Sequence, residues 1–207
     1  MVMIREAELF VMSEDVLVEV IGRIRGEQWD IVLPPLLDRP GTDQPASMRV
    51  AVGEYARDDA WVPDLLAGRT IDEVGPDRYD GDLLGADPHT AVAKYAEQAC
   101  AAARSVDDGD AVVHAAGRDP GVLDYLTELT LTRSLLAYEI AMHLGSRACP
   151  LTEELAHGLC EVTGPEAERW RATGFFRAPM PLPADVSWRD RLLLTAGRDP
   201  HPLEDRR

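Results

Sequence analysis

The sequence predicts an all-α protein, a helical bundle followed by a Pro-rich C-terminal extension, and three observations support this. Four long stretches repeat apolar residues at intervals of three or four, as one face of a helix requires. Capping residues and helix-stop residues bound these stretches. No stretch alternates convincingly between apolar and polar residues, as a half-buried strand would. Long helices without strands favour an antiparallel bundle.

The first two predicted helices each follow a serine that can cap them. One is predicted from Glu14 to Asp30 after Ser13, and the other from Met48 to Ala67 after Ser47. Pro63 lies inside the second pattern. Because proline removes a backbone hydrogen bond, a kink or a break is expected near it.

Two loops separate these helices from each other and from a third. Residues 32–45 are rich in proline, and residues 69–88 contain glycine, proline and many acidic side chains. The length of the second loop makes it a candidate cover for an open site. The third helix is predicted from Pro88 to Val106, with Asp87 as its cap and proline at its first position.

The longest predicted helix is DPGVLDYLTELTLTRSLLAYEIAMHLG, between Asp119 as cap and Gly145 as stop. Glu139 and His143 lie one turn apart near its end. A carboxylate and an imidazole at this spacing project side by side, which is one way in which a helix supplies two metal ligands. The same spacing also suits an ordinary surface pair. A third ligand elsewhere in the chain is needed to favour metal.

Two further helical segments precede the extension. The first is predicted from Thr152 toward Val162, and the second from Pro165 to Thr173. The predicted domain organisation is therefore a helical bundle over residues 1–176. Residues 177–207 form an extension that packs on it or is partly disordered.

The charge of the chain excludes several classes of partner. Lys and Arg number 21 against 37 Asp and Glu, which gives a net charge of −16. Such a surface repels phosphate backbones and anionic lipids, so we expect neither nucleic acid nor membrane as a partner. No apolar run reaches the roughly 20 residues needed to span a bilayer. Charges at Arg5, Glu6 and Glu8 interrupt any signal-peptide core, so a cytoplasmic location is expected.

The cysteines give no sign of nucleophilic chemistry. Cys100, Cys149 and Cys160 are odd in number and form no C-x-x-C. In a cytoplasmic protein they are predicted to be reduced thiols. No adjacent base marks any of them as a nucleophile.

A resemblance to a known family covers most of the chain. Arg177–Pro200, RAPMPLPADVSWRDRLLLTAGRDP, resembles the C-terminal stretch of an actinobacterial family of DinB-like metal-binding proteins, related to the mycothiol-dependent maleylpyruvate isomerase. LLAYEIAMHLGSRACPLTEEL resembles the family segment with its E-x-x-x-H pair. GEQWD and SMRVAVGEYARDDAWVPDLLAG resemble the end of its first helix and its second helix. The resemblance is weaker between residues 69 and 110.

This resemblance implies a four-helix bundle and a metal site. The family's metal, usually zinc, is held by a second-helix His and the Glu and His of the fourth helix. Glu139 and His143 match the latter pair, but Glu54 stands where the family has His. Three ligands of the type Glu/Glu/His leave room for water or substrate, and the added carboxylate shifts preference from zinc toward manganese or iron(II). The departure equally fits a scaffold that has lost its metal.

Two further residues are candidates for the same site. Asp58 lies one turn after Glu54 and is a candidate fourth ligand or a group that orients the ligands; a solvated surface acid is the plainer alternative. His114 precedes the central helix in a context that the family shows, which makes it a candidate pocket residue. No general base can be assigned.

Two functions remain open at this stage. The resemblance implies a mycothiol-dependent isomerase or thiol S-transferase that acts on a small electrophilic metabolite, with a metal-bound thiolate as nucleophile. The alternative is a metal-free bundle that binds a small molecule or a protein partner. Both a monomer and a homodimer are compatible with a bundle of this size.

Overall fold

The computed structural model describes residues 3–38 and 44–201, and it is predominantly helical. No helix in these ranges is both long and apolar enough to cross a membrane. Part of the predicted loop 32–45 and the end of the predicted extension lie outside the described residues. The α-helices are α1 (Arg5–Ile21), α2 (Met48–Leu66), α3 (Ile71–Val74), α4 (Pro88–Arg104), α5 (Val122–His143), α6 (Glu153–Thr163), α7 (Ala167–Ala172) and α8 (Trp188–Thr195).

The prediction for the first helix is wrong at both ends. Helix α1 begins at Arg5, and Ser13 lies inside it, where its hydroxyl donates to the Phe10 carbonyl at 2.7 Å. The helix ends at Ile21, and a separate 3-10 helix spans Gly26–Asp30. No side chain caps the start of α1. Without a cap, the sequence carries no local signal for the true beginning.

Helices α2 and α4 begin where their caps predict. The Ser47 hydroxyl accepts from Val50 N at 3.3 Å, and the Asp87 carboxylate accepts from Thr90 N at 3.2 Å. Pro63 lies within α2 and does not end it, since the helix continues to Leu66. The loop after α2 contains the short α3, which begins with a capping box between Thr70 and Glu73.

Helix α5 is buried on nearly every side, so it forms the centre of the molecule. It begins at Val122 after Gly121, and the predicted cap Asp119 instead pairs with His114. Gly145 follows the helix with a φ of 84°, the left-handed conformation expected of a helix stop. A helix without a polar face must be covered by other elements.

The long helices pack in a defined order around α5. Helix α1 packs against α5 and α4, and α2 packs mainly against α4. Helices α2 and α5 touch little. Two short antiparallel strands, β1 (Val32–Leu33) and β2 (Ala46–Ser47), join the segment after α1 to the start of α2. Residues 33–37, which include the end of β1 and the segment after it, lie beside the space between α2 and α5.

The C-terminal extension packs on the helices over its described part, residues 177–201. It contains α8, which the sequence pattern does not predict because prolines flank it. Helix α8 packs against α6. Several hydrogen bonds join the extension to the rest of the chain, among them the following three. Arg177 donates to the Pro35 carbonyl at 2.6 Å, Arg198 donates to the Leu36 carbonyl at 2.6 Å, and Tyr138 donates to the Asp199 carbonyl. The extension therefore fixes the segment that follows β1.

Candidate functional site

A cavity of about 570 Å³ lies between α2, α5 and the segment after β1. Apolar residues supply one wall, and polar and charged residues of the two helices supply the other. The lining residues are Leu33, Pro34, Pro35, Leu36, Leu37, Gln44, Pro45, Ala46, Ser47, Val50, Ala51, Glu54, Tyr55, Asp58, Thr132, Arg133, Leu136 and Glu139.

Helical spacing explains why these polar residues face the same space. Glu54 and Asp58 are four residues apart on α2, and Thr132, Leu136 and Glu139 follow at intervals of four and three on α5. Residues at these intervals share one face of a helix. Because α2 and α5 touch little, the two faces enclose a cavity.

Behind the cavity, one buried cation joins two buried acids from different helices. Arg133 Nε donates to Glu14 Oε1 at 2.7 Å, and its Nη2 donates to Asp59 Oδ1. The three side chains are at most 1% exposed. The Tyr55 hydroxyl donates to the second oxygen of Glu14, and Arg133 Nη1 donates to Thr132 Oγ1 at 3.2 Å. The guanidinium is thus already matched by two acids.

Burial changes the protonation of this network. Loss of solvation raises the pKa of Glu14 to about 8, with the nearby Asp59 adding to the effect and Arg133 opposing it. Burial also raises the pKa of Asp59, against the attraction of Arg133. For Arg133, burial acts to lower the pKa, but Asp59 and Glu14 outweigh it and hold the pKa well above its ordinary value. Arg133 therefore stays charged, and burial favours the protonated form of Glu14.

The cavity itself presents three carboxylates. Glu54 and Asp58 are exposed to solvent through the cavity, and neither has a hydrogen bond or ion pair with any described residue. Protein nonetheless surrounds Asp58, and this burial raises its pKa in spite of Arg133. Glu139 is 6% exposed, and its Oε1 lies 3.4 Å from Arg198 Nε. The polar wall is therefore acidic.

The structure brings some of the predicted metal ligands together and leaves one apart. Glu54, Asp58 and Glu139 line the cavity, whereas His143 does not. His143 Nδ1 lies 2.8 Å from the Glu139 carbonyl oxygen and 4.0 Å from Glu139 Oε2. Between residues 3–38 and 44–201, no three His, Cys, Asp or Glu side chains are arranged to hold one ion. The metal assignment therefore stays a prediction, and we assign no chemical step to a metal.

His114 lies away from the cavity, in the turn that leads into α5. Its Nδ1 is 2.9 Å from Asp119 Oδ1, and it is not among the lining residues. The nearby bridges between Val112 and Gly121 and between Ala115 and Arg118 make this turn partly extended. His114 contributes to this turn.

The residues that sequence reasoning missed are Glu14, Tyr55, Asp59 and Arg133. One signal was present for Arg133, because it falls between the apolar Leu129 and Leu136 of the central helix. A charged residue within an apolar helix face requires a buried partner. The partners could not be identified, since they lie 119 and 74 positions away in the chain.

The three cysteines are free thiols, and none is activated. Burial raises the pKa of Cys100 to about 12 and the pKa values of Cys149 and Cys160 to about 11. A thiol with so high a pKa is a poor nucleophile at neutral pH.

The chain matches no family model, no curated protein and no solved structure. Its function must therefore be argued from the cavity and its charges. Function follows from the chemistry of a site and not from a fold alone.

Proposed function

We propose that this protein binds a small organic molecule in the cavity between α2 and α5. The observation that carries the proposal is the cavity, which combines a volume of about 570 Å³ with an apolar wall and a few charged groups. Ligand pockets typically have volumes of roughly 300–1,000 Å³ and just this mixture of lining residues. The buried network behind it fixes Tyr55 and Arg133, so the polar wall is rigid before a ligand arrives.

We further propose that the scaffold is a DinB-like four-helix bundle composed of α1, α2, α4 and α5. These are the four longest helices, and each packs against at least one of the others. The resemblance of Arg177–Pro200 to the C-terminal stretch of that family supports the same assignment. The proposal assigns α6, α7 and α8 to positions outside the bundle.

A cavity-filling variant tests the proposed binding function. Ala51 lines the cavity and is half-buried, so Ala51→Phe places a ring in the space that the ligand would occupy. Ala101→Phe, on the exposed face of α4, is the matched control. A metabolite library is screened for compounds that raise the Tm of the wild-type protein. We expect such compounds to stabilise the wild type and the control but not Ala51→Phe.

Two results would contradict the binding function. Either no compound stabilises the wild type, or every compound that does so stabilises Ala51→Phe equally. A ligand that raises Tm in all three proteins binds outside the cavity. Ligand-linked stabilisation grows with concentration, so a true ligand also gives a dose-dependent Tm.

The second candidate function is a metal- and mycothiol-dependent isomerase or S-transferase. One observation favours it: Glu54 and Glu139 line the same cavity, and His143 lies one turn beyond Glu139. The contact of His143 Nδ1 with a backbone carbonyl leaves Nε2 as the nitrogen for a metal. A rearrangement that brings Nε2 toward Glu54 and Glu139 would be required.

Elemental analysis of untagged protein distinguishes this candidate from the first. About one zinc, manganese or iron per chain, lost in His143→Ala, would favour the enzyme. Metal-free protein that gains zinc on Glu54→His would show a scaffold without its metal, in agreement with organic-ligand binding. Mycothiol is then tested as ligand with and without added metal.

A further inference from the structure

We propose that the ligand is an organic cation with an apolar body, whose charged group lies among Glu54, Asp58 and Glu139 and whose body lies along the wall of residues 33–37. This inference rests on the proposed binding function and specifies its ligand class. Four features of the cavity support it: its balance of charge, the surroundings of Glu139, the surroundings of Asp58, and the apolar wall.

The lining side chains carry an excess of negative charge. They include three carboxylates and one guanidinium, and that guanidinium belongs to Arg133. Arg133 already donates to Glu14 and Asp59 behind the cavity, and its remaining hydrogen bond to a described residue is with Thr132. No free positive charge among the described lining residues can therefore receive an anion. A cation would meet Glu54 and Asp58, which have no ion pair with any described residue.

Glu139 is a buried acid of the cavity that pairs with Arg198 and makes no close hydrogen bond. It is 6% exposed and lines the cavity, yet its carboxylate makes no hydrogen bond with any described residue. Its nearest cation is Arg198, at 3.4 Å from Oε1, and Arg198 Nε itself lacks a hydrogen bond in the described part of the chain. The ion pair with Arg198 offsets part of the cost of burying this carboxylate, and an N–H donor from a ligand would add the hydrogen bond that it lacks.

Asp58 is a second acid of the cavity, and unlike Glu139 it is exposed to solvent. Burial raises the pKa of its carboxyl group, which means that the ionised form has lost part of its hydration. A bound cation would compensate for the lost hydration of the carboxylate. Its hydrogen bonds would be charge-assisted, and such bonds are about twice as strong as neutral ones. Glu54, one turn away on α2, extends the acidic wall. Primary amines and guanidines carry enough donors for such a set.

The opposite wall fits a hydrocarbon body. Leu33, Pro34, Pro35, Leu36 and Leu37 form it consecutively, and Val50, Ala51 and Leu136 continue it on the helices. A bare metal ion would make no use of these side chains. Arg177 and Arg198 hold the carbonyls of Pro35 and Leu36, so the wall is fixed by the C-terminal extension.

The test compares three probes of one shape and different charge. 4-Phenylbutylammonium, 4-phenylbutanol and 4-phenylbutanoate are titrated calorimetrically into the full-length protein at pH 7.5 and constant ionic strength. We expect the ammonium to bind about tenfold more tightly than the alcohol, and the carboxylate to bind more weakly than either. Asp58→Asn and Glu139→Gln should each weaken ammonium binding about tenfold and leave alcohol binding unchanged. Glu97→Gln, an exposed acid on α4, is the control and should change neither.

The outcomes separate this inference from the proposed function. Equal or tighter binding of the alcohol or the carboxylate, or unchanged ammonium binding in both acid variants, overturns the inference and leaves cavity binding intact. Stoichiometric binding of Mn²⁺ without binding of the ammonium also overturns it, in favour of a metal site. If none of the three probes binds, the inference fails, and the library screen with Ala51→Phe decides separately whether the binding function fails with it.

Discussion

The Arg133 guanidinium of α5 donates to the buried Glu14 carboxyl of α1, with Nε 2.7 Å from Oε1 and both side chains 1% exposed. The same guanidinium also bonds Asp59 of α2. One side chain thus connects the helix in the centre of the fold to two neighbours, immediately behind the cavity. This arrangement makes the stability of the fold and the rigidity of the proposed site depend on the same group.

Replacement of Arg133 by Met should strongly destabilise the protein. The variant leaves two buried acids without their cation, and breaking a buried pair in this way costs about 3–5 kcal/mol. The loss is measured as the change in free energy of unfolding from urea denaturation at pH 7. Arg49→Met is the control, because Arg49 forms an exposed pair with Asp82 at 2.9 Å; its effect should be much smaller.

A triple variant examines the cause of that loss. Combining Arg133→Met with Glu14→Leu and Asp59→Leu removes all three charged groups together. Well-packed apolar replacements of a buried charge cluster are often neutral or stabilising. We therefore expect the triple variant to regain most of the lost stability. A triple variant as unstable as Arg133→Met would show that the cost is one of packing and not of unpaired charge.

The raised pKa of Glu14 should make stability fall as pH rises. Burial places the pKa at about 8 in the folded state, against 4.5 when the side chain is free. Between these values the folded protein holds a proton that the unfolded chain releases. The contribution is full below pH 4.5 and is lost as pH rises through 8, with a slope of up to about 1.4 kcal/mol per pH unit.

Urea denaturation of wild type and Glu14→Gln from pH 5 to 9 measures this slope. The amide does not titrate, so the stability of the variant relative to the wild type should rise with pH and level off above 8. Glu97→Gln should reproduce the wild-type slope, since Glu97 is exposed on α4. Parallel curves for wild type and Glu14→Gln would assign the titration to another group.

The parts of the fold that the sequence predicts correctly are those with local signals. Ser47 and Asp87 directly precede α2 and α4 and accept from the amide three residues further on. Thr152 caps α6 in the same way, by accepting from Leu155 N at 3.1 Å. The start of α1 has no side-chain cap, so the sequence pattern wrongly favours Ser13 as the beginning of the helix. Helix α8 has a cap, Ser187, but the prolines before it favoured an irregular segment.

The site was predictable only in part, for a related reason. Glu54, Asp58 and Glu139 share a cavity, as helical spacing and the family resemblance suggest. The metal assignment for Glu54, Glu139 and His143 stays a prediction. The contacts of Arg133 join three helices that are distant in sequence, and periodicity reports which face of a helix is buried but not what it meets.

Removal of the Arg198 charge should loosen the apolar wall of the cavity. Arg198 is 3% exposed and donates to the carbonyls of Leu36 at 2.6 Å and Ala196 at 3.1 Å. Met keeps the length of the side chain but donates no hydrogen bond to these carbonyls. Each buried acceptor left unsatisfied lowers the free energy of unfolding by about 1–3 kcal/mol. Hydrogen exchange over residues 33–38 should accelerate in Arg198→Met. Arg191→Met, which removes a cation 5.4 Å above the Trp188 ring, should leave exchange there unchanged.

Two helical glycines should respond to alanine in opposite directions. A Cβ on Gly53 of α2 would lie 3.8 Å from Leu84 Cδ1, an ordinary contact, so Gly53→Ala should stabilise the protein by about 0.5–1 kcal/mol through helix propensity. A Cβ on Gly158 of α6 would lie 2.9 Å from Arg5 Nη2 and still closer to Leu9 Cδ2. Leu9 is buried in the core and cannot move aside freely. Overpacking of this kind costs about 1–3 kcal/mol.

The free energies of unfolding of the two variants decide whether α6 approaches α1 as closely as the structure indicates. Both substitutions add the same methyl group to a helix, so their difference reports the surroundings and not the propensity. We expect Gly53→Ala to raise the urea midpoint and Gly158→Ala to lower it, with m unchanged in both. If Gly158→Ala stabilises the protein as Gly53→Ala does, α6 must lie further from Leu9 and Arg5, and the packing of the C-terminal segments on α1 must be looser than described.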